Sequence, residues 1–205
     1  MRFKEPLNNL LGQQSKVKAL RFLIKSQAGL SGREIARAIG LTQRITHATL
    51  TELWQYGIVT MRRVGKAKLY QINKESLFVA KALAPLFSFE ANLLKQVASL
   101  IIKNLKGQVV SIIIFGSIAE GKEEGGSDLD LLIVMKEGTD LAKIESDLDR
   151  LSAIISTSFG NQISPVLLKE KQFSRKYKQK DPFVRNIVAR GKTIYGKTFM
   201  EMAYA

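Results

Sequence analysis

Asp128 and Asp130 stand one residue apart just ahead of the apolar run Leu131–Val134. Residues at i and i+2 of a strand point to the same face, so the spacing predicts two carboxylates side by side while Leu129 and Leu131 turn into the core. Such a pair supplies hard oxygen donors for Mg²⁺, whose other ligands are ordinarily waters and nucleotide phosphates. Ten residues separate Ser117 from Asp128, and Gly116-Ser117 closes the β-branched run Val109–Phe115. A glycine lets phosphate approach the backbone, and a small hydroxyl at a helix start adds a donor to the free N–H groups there. Gly116, Ser117 and Ser127 are therefore the candidate nucleotide-binding residues, and Asp128 and Asp130 the candidate metal ligands and catalytic residues. Glu120, Glu123 and Glu124, in the connecting loop, are read as solvated.

The complete string FGSIAEGKEEGGSDLDLLIV, strand to strand, resembles the nucleotidyltransferase fold of the DNA polymerase β superfamily, above all the minimal nucleotidyltransferases, over residues 109–196. The resemblance implies a mixed sheet flanked by helices, metals held by the two matched aspartates, and phosphates gripped at Gly116 and Ser117. It also implies transfer of a nucleoside monophosphate from a nucleoside triphosphate to an acceptor hydroxyl, as when antitoxins of this kind modify a HEPN-type toxin. The family generally adds a third carboxylate from a later strand. Here the strand expected after a helix over about 140–158 reads Asn161-Gln162-Ile163-Ser164-Pro165-Val166-Leu167-Leu168, with no acid. Ser164 or a neighbour occupies the place, and a hydroxyl cannot replace an anionic ligand or a general base at neutral pH. Glu170 is a candidate stand-in for the missing acid, but it lies past the strand and is expected to face solvent. Two readings stand: a Mg²⁺-dependent transferase, or a regulator whose nucleotidyltransferase fold is inactive and senses a nucleotide or docks a partner.

The net charge of +14 over 205 residues is unevenly spread. Residues 1–75 hold 14 Lys/Arg against 4 Asp/Glu, residues 76–106 hold 4 against 1, and residues 107–205 hold 14 against 13. Concentrated basic charge suggests a polyanion-binding module. Within it, Val17, Leu20, Leu23 and Ile24 recur at helical spacing after Ser15, placed to cap a first helix. Ser31-Gly32-Arg33-Glu34 has capping-box form, Gly40 is a left-handed stop, and Thr42 caps a third helix running to about Tyr56. Around that helix Thr46, Leu50 and Leu53 share one face, with Arg44, His47, Ala48, Thr51 and Gln55 opposite. Residues 61–72 then read as two short strands around a turn at Gly65, loaded with Arg62, Arg63, Lys66 and Lys68. Residues 15–73 resemble a winged helix-turn-helix domain of transcription regulators. The resemblance implies double-stranded DNA as partner, with Gln43, Arg44, His47 and Thr51 on the recognition helix and the four wing cations on phosphates or a minor groove. His47 reads equally as a base or phosphate contact and as an ordinary exposed helix residue.

The sequence thus predicts an α/β chain of the α+β kind in three parts: a winged helix over 1–75, a helical connector over 76–106 and a nucleotidyltransferase domain over 107–205. In the connector, Pro85 splits two helical patterns. The stripe of Leu93, Leu94, Val97, Leu100, Ile101 and Leu105 packs against a domain or against a second copy in a homodimer. A last helix over 181–191 and a strand over 193–196 close the chain. Lys169, Lys171, Arg175, Lys176, Lys178 and Lys180 either steer a polyphosphate or acidic partner or form a solvated helix face. The absence of cysteine excludes disulfides, thiolate metal sites and a cysteine nucleophile, and the single histidine argues against a histidine-built metal centre. With no apolar run long enough to span a bilayer and no secretory leader in MRFKEPLNNLLG, no membrane partner and a cytoplasmic location are expected.

Overall fold

The computed structural model describes residues 4–204. Contacts divide the chain into two compact units, one ending at Leu93 and the other beginning at Leu94.

The first unit runs α1 (Pro6–Leu11), α2 (Gln14–Lys25), β1 (Leu30–Ser31), α3 (Gly32–Ile39), α4 (Gln43–Gln55), β2 (Val59–Val64) and β3 (Ala67–Ile72). Local chemistry sets its punctuation. The Ser31 hydroxyl accepts the Glu34 N–H while the Glu34 carboxylate accepts the Ser31 N–H at 2.8 Å, the reciprocal capping box that opens α3. Gly40, at φ 66°, ends it, and Thr42 caps α4 by accepting the Ile45 N–H. Ser15 does not cap: α2 begins one residue earlier, after an extended Gln13, which puts Ser15 inside the helix. Leu20, Leu23, Ile35, Leu50, Leu53, Ile58 and Tyr70 form one core beneath α2–α4 and the wing. Buried Lys16 is tolerated because its ammonium pairs with Glu52 of α4 and donates to the Asn9 carbonyl at 2.7 Å, tying α2 to α4. β2 and β3 form the antiparallel wing, and β1 adds a third strand by pairing Leu30 with Tyr70 and Ser31 with Leu69.

Pro85 does not split the following helix. A π-turn over Val79–Leu83 leads directly into α5 (Ala84–Leu105), with the Ala84 N–H donating to the Val79 carbonyl in an i→i−5 bond. Proline lacks an N–H and its ring collides with the carbonyl four residues back; a widened turn just before it relieves that conflict without ending the helix.

The second unit continues with β4 (Val109–Ile114), α6 (Gly116–Glu120), β5 (Leu129–Met135), α7 (Leu141–Phe159), β6 (Ile163–Lys169), α8 (Glu170–Lys178), α9 (Pro182–Arg190), β7 (Lys192–Gly196) and α10 (Phe199–Ala203). Its sheet has the order β6-β5-β4-β7, mixed because β5 pairs parallel with β6 while β4 runs antiparallel to both β5 and β7. β5 is buried on both faces. Leu129, Leu131 and Ile133 enter a core with Ile101 and Leu105 of α5 and Ile144, Leu148 and Leu151 of α7. Leu132 and Val134 enter a second core with Phe173 of α8, Val184 and Ile187 of α9, and Met202 of α10. The helix over 182–190 is therefore not the last. Gly191 after it is extended, at φ −72°, and its need for glycine is space: a Cβ there would stand 2.6 Å from the Ile187 carbonyl oxygen and 2.9 Å from Ile113.

Candidate functional site

Asp130 is the second residue of β5, and its backbone carbonyl accepts the Phe115 N–H at 3.0 Å, which fixes the start of β5 against the end of β4. Gly116 opens α6 at φ 70°, a left-handed conformation that side chains disfavour. A Cβ at this position would run into Asp130 Oδ2 and come within 2.9 Å of its carboxyl carbon. The glycine is thus required twice, once by its backbone angle and once by the carboxylate lying against it. Asp128, exposed, precedes β5 with the same parity as Asp130. Neither carboxylate accepts a hydrogen bond or pairs with a cation among the described residues. Burial, and secondarily the Asp128 charge, hold the Asp130 carboxyl above its ordinary range. Two adjacent acids with no internal counter-charge are a donor set suited to a divalent cation, which would relieve the repulsion between them.

Ser117 follows in the first turn of α6, half-buried. Ser127 shapes the loop: its hydroxyl accepts the Glu124 N–H at 2.9 Å, and its carbonyl accepts from the Asn161 side chain at 2.8 Å, which ties the approach to Asp128 to the start of β6. Glu120 is engaged by Lys122 and by Arg190 of α9, and these bonds hold its carboxyl low. Glu170, at the start of α8, does not face solvent as expected: it is half-buried and pairs with Lys197 at 2.7 Å. In the parallel register Asp130 stands beside Ser164, so strand β6 brings an exposed hydroxyl alongside the inner aspartate. No cluster of three or more Asp, Glu, His or Cys able to hold a metal occurs among the described residues. Asp128 and Asp130 are the acids that the structure places at this end of β5.

In the first unit a groove of about 590 Å³ lies between the start of α3, α4 and the wing. It gathers Gln43, His47, Lys66 and Lys68, four of the residues expected at a DNA surface, together with Arg33. Arg44 is exposed on α4 outside this groove, and the Thr51 hydroxyl is turned back onto the His47 carbonyl at 2.8 Å. Arg62 and Arg63 lie on β2, where Arg63 is paired directly across from Lys68. Like charges facing each other destabilise a strand pair unless an anion lies over them. Arg33 was not among the candidates, although its place gives a signal: a cation in the first turn of a helix opposes the helix dipole, an arrangement that a bound phosphate would offset.

The family of polymerase beta nucleotidyltransferases matches this chain over residues 95–199, and the chain belongs to that family. Among solved structures it is similar to a possible transcriptional regulatory protein from Mycobacterium bovis (fragment 1–100), at 27% identity over 45% of this chain and 87% of the other, with a TM-score of 0.33. It is also similar to a toxin–antitoxin structure with AMP-PNP, at 20% identity over 52% of this chain and 81% of the other, with a TM-score of 0.37. No curated protein matches it. Among the described residues no helix is long and apolar enough to cross a membrane.

Proposed function

We propose that the second unit transfers a nucleoside monophosphate from a nucleoside triphosphate to an acceptor hydroxyl with Mg²⁺, and that the first unit binds double-stranded DNA. The observation that carries the transferase reading is the pair of unpartnered carboxylates, with Asp130 lying directly against a left-handed Gly116. Asp128 and Asp130 hold the metal, which when bound neutralises phosphate charge at the transferring group. Gly116 leaves the backbone open to the phosphates, the Ser117 hydroxyl donates to them, and Ser127 keeps the loop before Asp128 in place. The acceptor oxygen bonds to the α-phosphorus as the bond to the α–β bridging oxygen breaks and pyrophosphate leaves. With a hydroxyl at Ser164, removal of the acceptor proton falls to solvent, so turnover is slow. The motif resemblance suggests a partner protein of the HEPN type as acceptor, with the winged helix acting on its operon.

One observation favours a second reading. Ser164 sits in register with Asp130 on the later strand, which by the family resemblance would supply a third acid and here has none, and a site so reduced suits a nucleotide sensor within a DNA-binding regulator. Label transfer separates the two. The chain and its Asp128→Asn/Asp130→Asn variant are incubated with Mg²⁺ and α-³²P-labelled ATP, GTP, CTP or UTP, with cell lysate as acceptor. Label on a macromolecule that needs both aspartates supports the transferase. Nucleotide binding without label supports the sensor, and absence of both refutes the proposed nucleotide site.

A further inference from the structure

The near-neutral charge of the second unit conceals a separation. Residues 107–168 carry four Lys/Arg against ten Asp/Glu, whereas residues 169–205 carry ten against three. The three acids of that closing stretch are all engaged. Glu170 pairs with Lys197, Asp181 with Lys176 at 2.8 Å, and Glu201 accepts the Thr198 N–H at 2.7 Å. Five of the other cations, Lys171, Arg175, Lys178, Lys180 and Arg185, line two neighbouring depressions. A groove of about 610 Å³, the size of an ordinary small-ligand site, is walled by Tyr177, Lys178, Lys180, Arg185 and Tyr204. Its floor is apolar, from Val188 and Ala189 of α9. Lys171, Arg175 and Lys178 recur at i, i+4 and i+7, one face of α8, and a shallower depression of about 410 Å³ that shares Lys178 carries the cationic surface along that face. No acid lines either depression, and none of these five cations is ion-paired among the described residues.

Aromatic side chains make this more than a solvated basic face; the left-handed φ of 57° at Lys180 is that of the residue closing α8, where the Asp181 N–H donates to the Lys176 carbonyl. Tyr177 is a fixed platform, stacked on buried Phe173 with ring centres 6.4 Å apart and with its hydroxyl donating to Met200 Sδ. Tyr204 is 74% exposed, so the groove has a second aromatic side chain with nothing over it. Cations for phosphates and open aromatic faces for bases are the combination that binds unpaired polynucleotides, and a duplex keeps its base faces stacked and out of reach.

We propose that this groove is a binding site for single-stranded nucleic acid, with Lys171 and Arg175 extending its track along α8. The site is separate from the DNA surface of the first unit and does not depend on nucleotidyl transfer. The test is fluorescence anisotropy of the full chain with a labelled oligouridylate of roughly twelve nucleotides, within the span such sites cover, in excess unlabelled duplex DNA. Lys178→Ala/Lys180→Gly/Arg185→Ala, with glycine chosen for the left-handed position, is expected to weaken binding at least tenfold. It should also flatten the log–log salt dependence by about 2, roughly 0.7 for each lost phosphate contact. Tyr204→Ala is expected to cost roughly fivefold or more, and Tyr204→Phe to restore affinity. The Arg62→Ala/Lys66→Ala wing variant should bind the oligonucleotide as the parent does. Unchanged affinity and slope in the triple variant would overturn the proposal, as would loss of binding in the wing variant. Displacement by polyglutamate as effective as by oligonucleotide, with Tyr204→Ala unaffected, would likewise overturn it in favour of an acidic protein surface.

Discussion

Gly116→Ala tests whether the close approach between α6 and β5 builds the nucleotide site. The added methyl would stand 2.9 Å from the Asp130 carboxyl carbon, where carbon atoms prefer ~3.5–4.0 Å, and closer still to Oδ2, so the carboxylate must retreat by at least roughly 0.6–1.1 Å. The backbone at φ 70° adds about 1–2 kcal/mol of left-handed strain. Gly138→Ala is the control, because Gly138, beyond the far end of β5, has φ 79° and open space where a Cβ would go. Both variants should lose a similar increment of stability in urea. Only Gly116→Ala should lose nucleotide affinity in calorimetry with Mg²⁺, and its transfer rate should fall by about a hundredfold, the scale set by a misplacement of 1 Å. Equal, small effects of the two substitutions on nucleotide binding would refute the argument, since strain alone would then account for both.

Restoring the acid by Ser164→Asp should speed label transfer by about a hundredfold or more, the contribution of a positioned general base, and no gain in a folded variant would show that the missing carboxylate is not what limits turnover. Because burial and Asp128 hold the Asp130 carboxyl high, the folded state keeps that proton to higher pH than the unfolded chain, and stability is lost as pH rises through the folded value. Asp130→Asn should therefore raise the melting temperature at pH 7 without divalent cations, with the advantage vanishing below the ordinary carboxylate range; an equal gain at all pH values would contradict this. Arg62→Ala/Lys66→Ala should weaken duplex binding and reduce the magnitude of its log–log salt slope by about 2, roughly 0.9 per phosphate, as measured by anisotropy across a salt series. An unchanged slope would remove these residues from the interface.

What the sequence made legible was chemistry completed within a few residues. Ser31 with Glu34, Gly40 and Thr42 each bond or turn locally, so α3 and α4 could be read before any tertiary contact was considered. Asp128, Asp130, Gly116 and Ser117 were legible for a different reason, since each end of an apolar strand run announces where its side chains emerge. What escaped depended on partners distant in the chain. Two-residue β1 exists only because β3 returns beside it, and short α1 is held by the burial of Leu10, whereas α10 did carry a local signal, the capping box of Thr198 and Glu201, in a segment too short to show apolar periodicity. Pro85 misled because the remedy, a π-turn ahead of it, leaves no mark in apolar periodicity. Arg33 joined the proposed DNA surface only once the wing brought Lys66 and Lys68 beside the start of α3.

The strand that carries Ser164 is the outer strand of its sheet, and the residue after Ser164 is Pro165, exposed and paired with Leu131. A proline on a rim has no N–H to offer a newcomer, so a further strand cannot zip along this margin without leaving a gap beside the aspartates. The same residue guards against self-association in filament form, which an open rim of β-branched and leucine side chains would otherwise invite. Under the proposed transferase reading, an acceptor segment laid in extended form along β6 would forgo one backbone hydrogen bond one residue from the position beside Asp130.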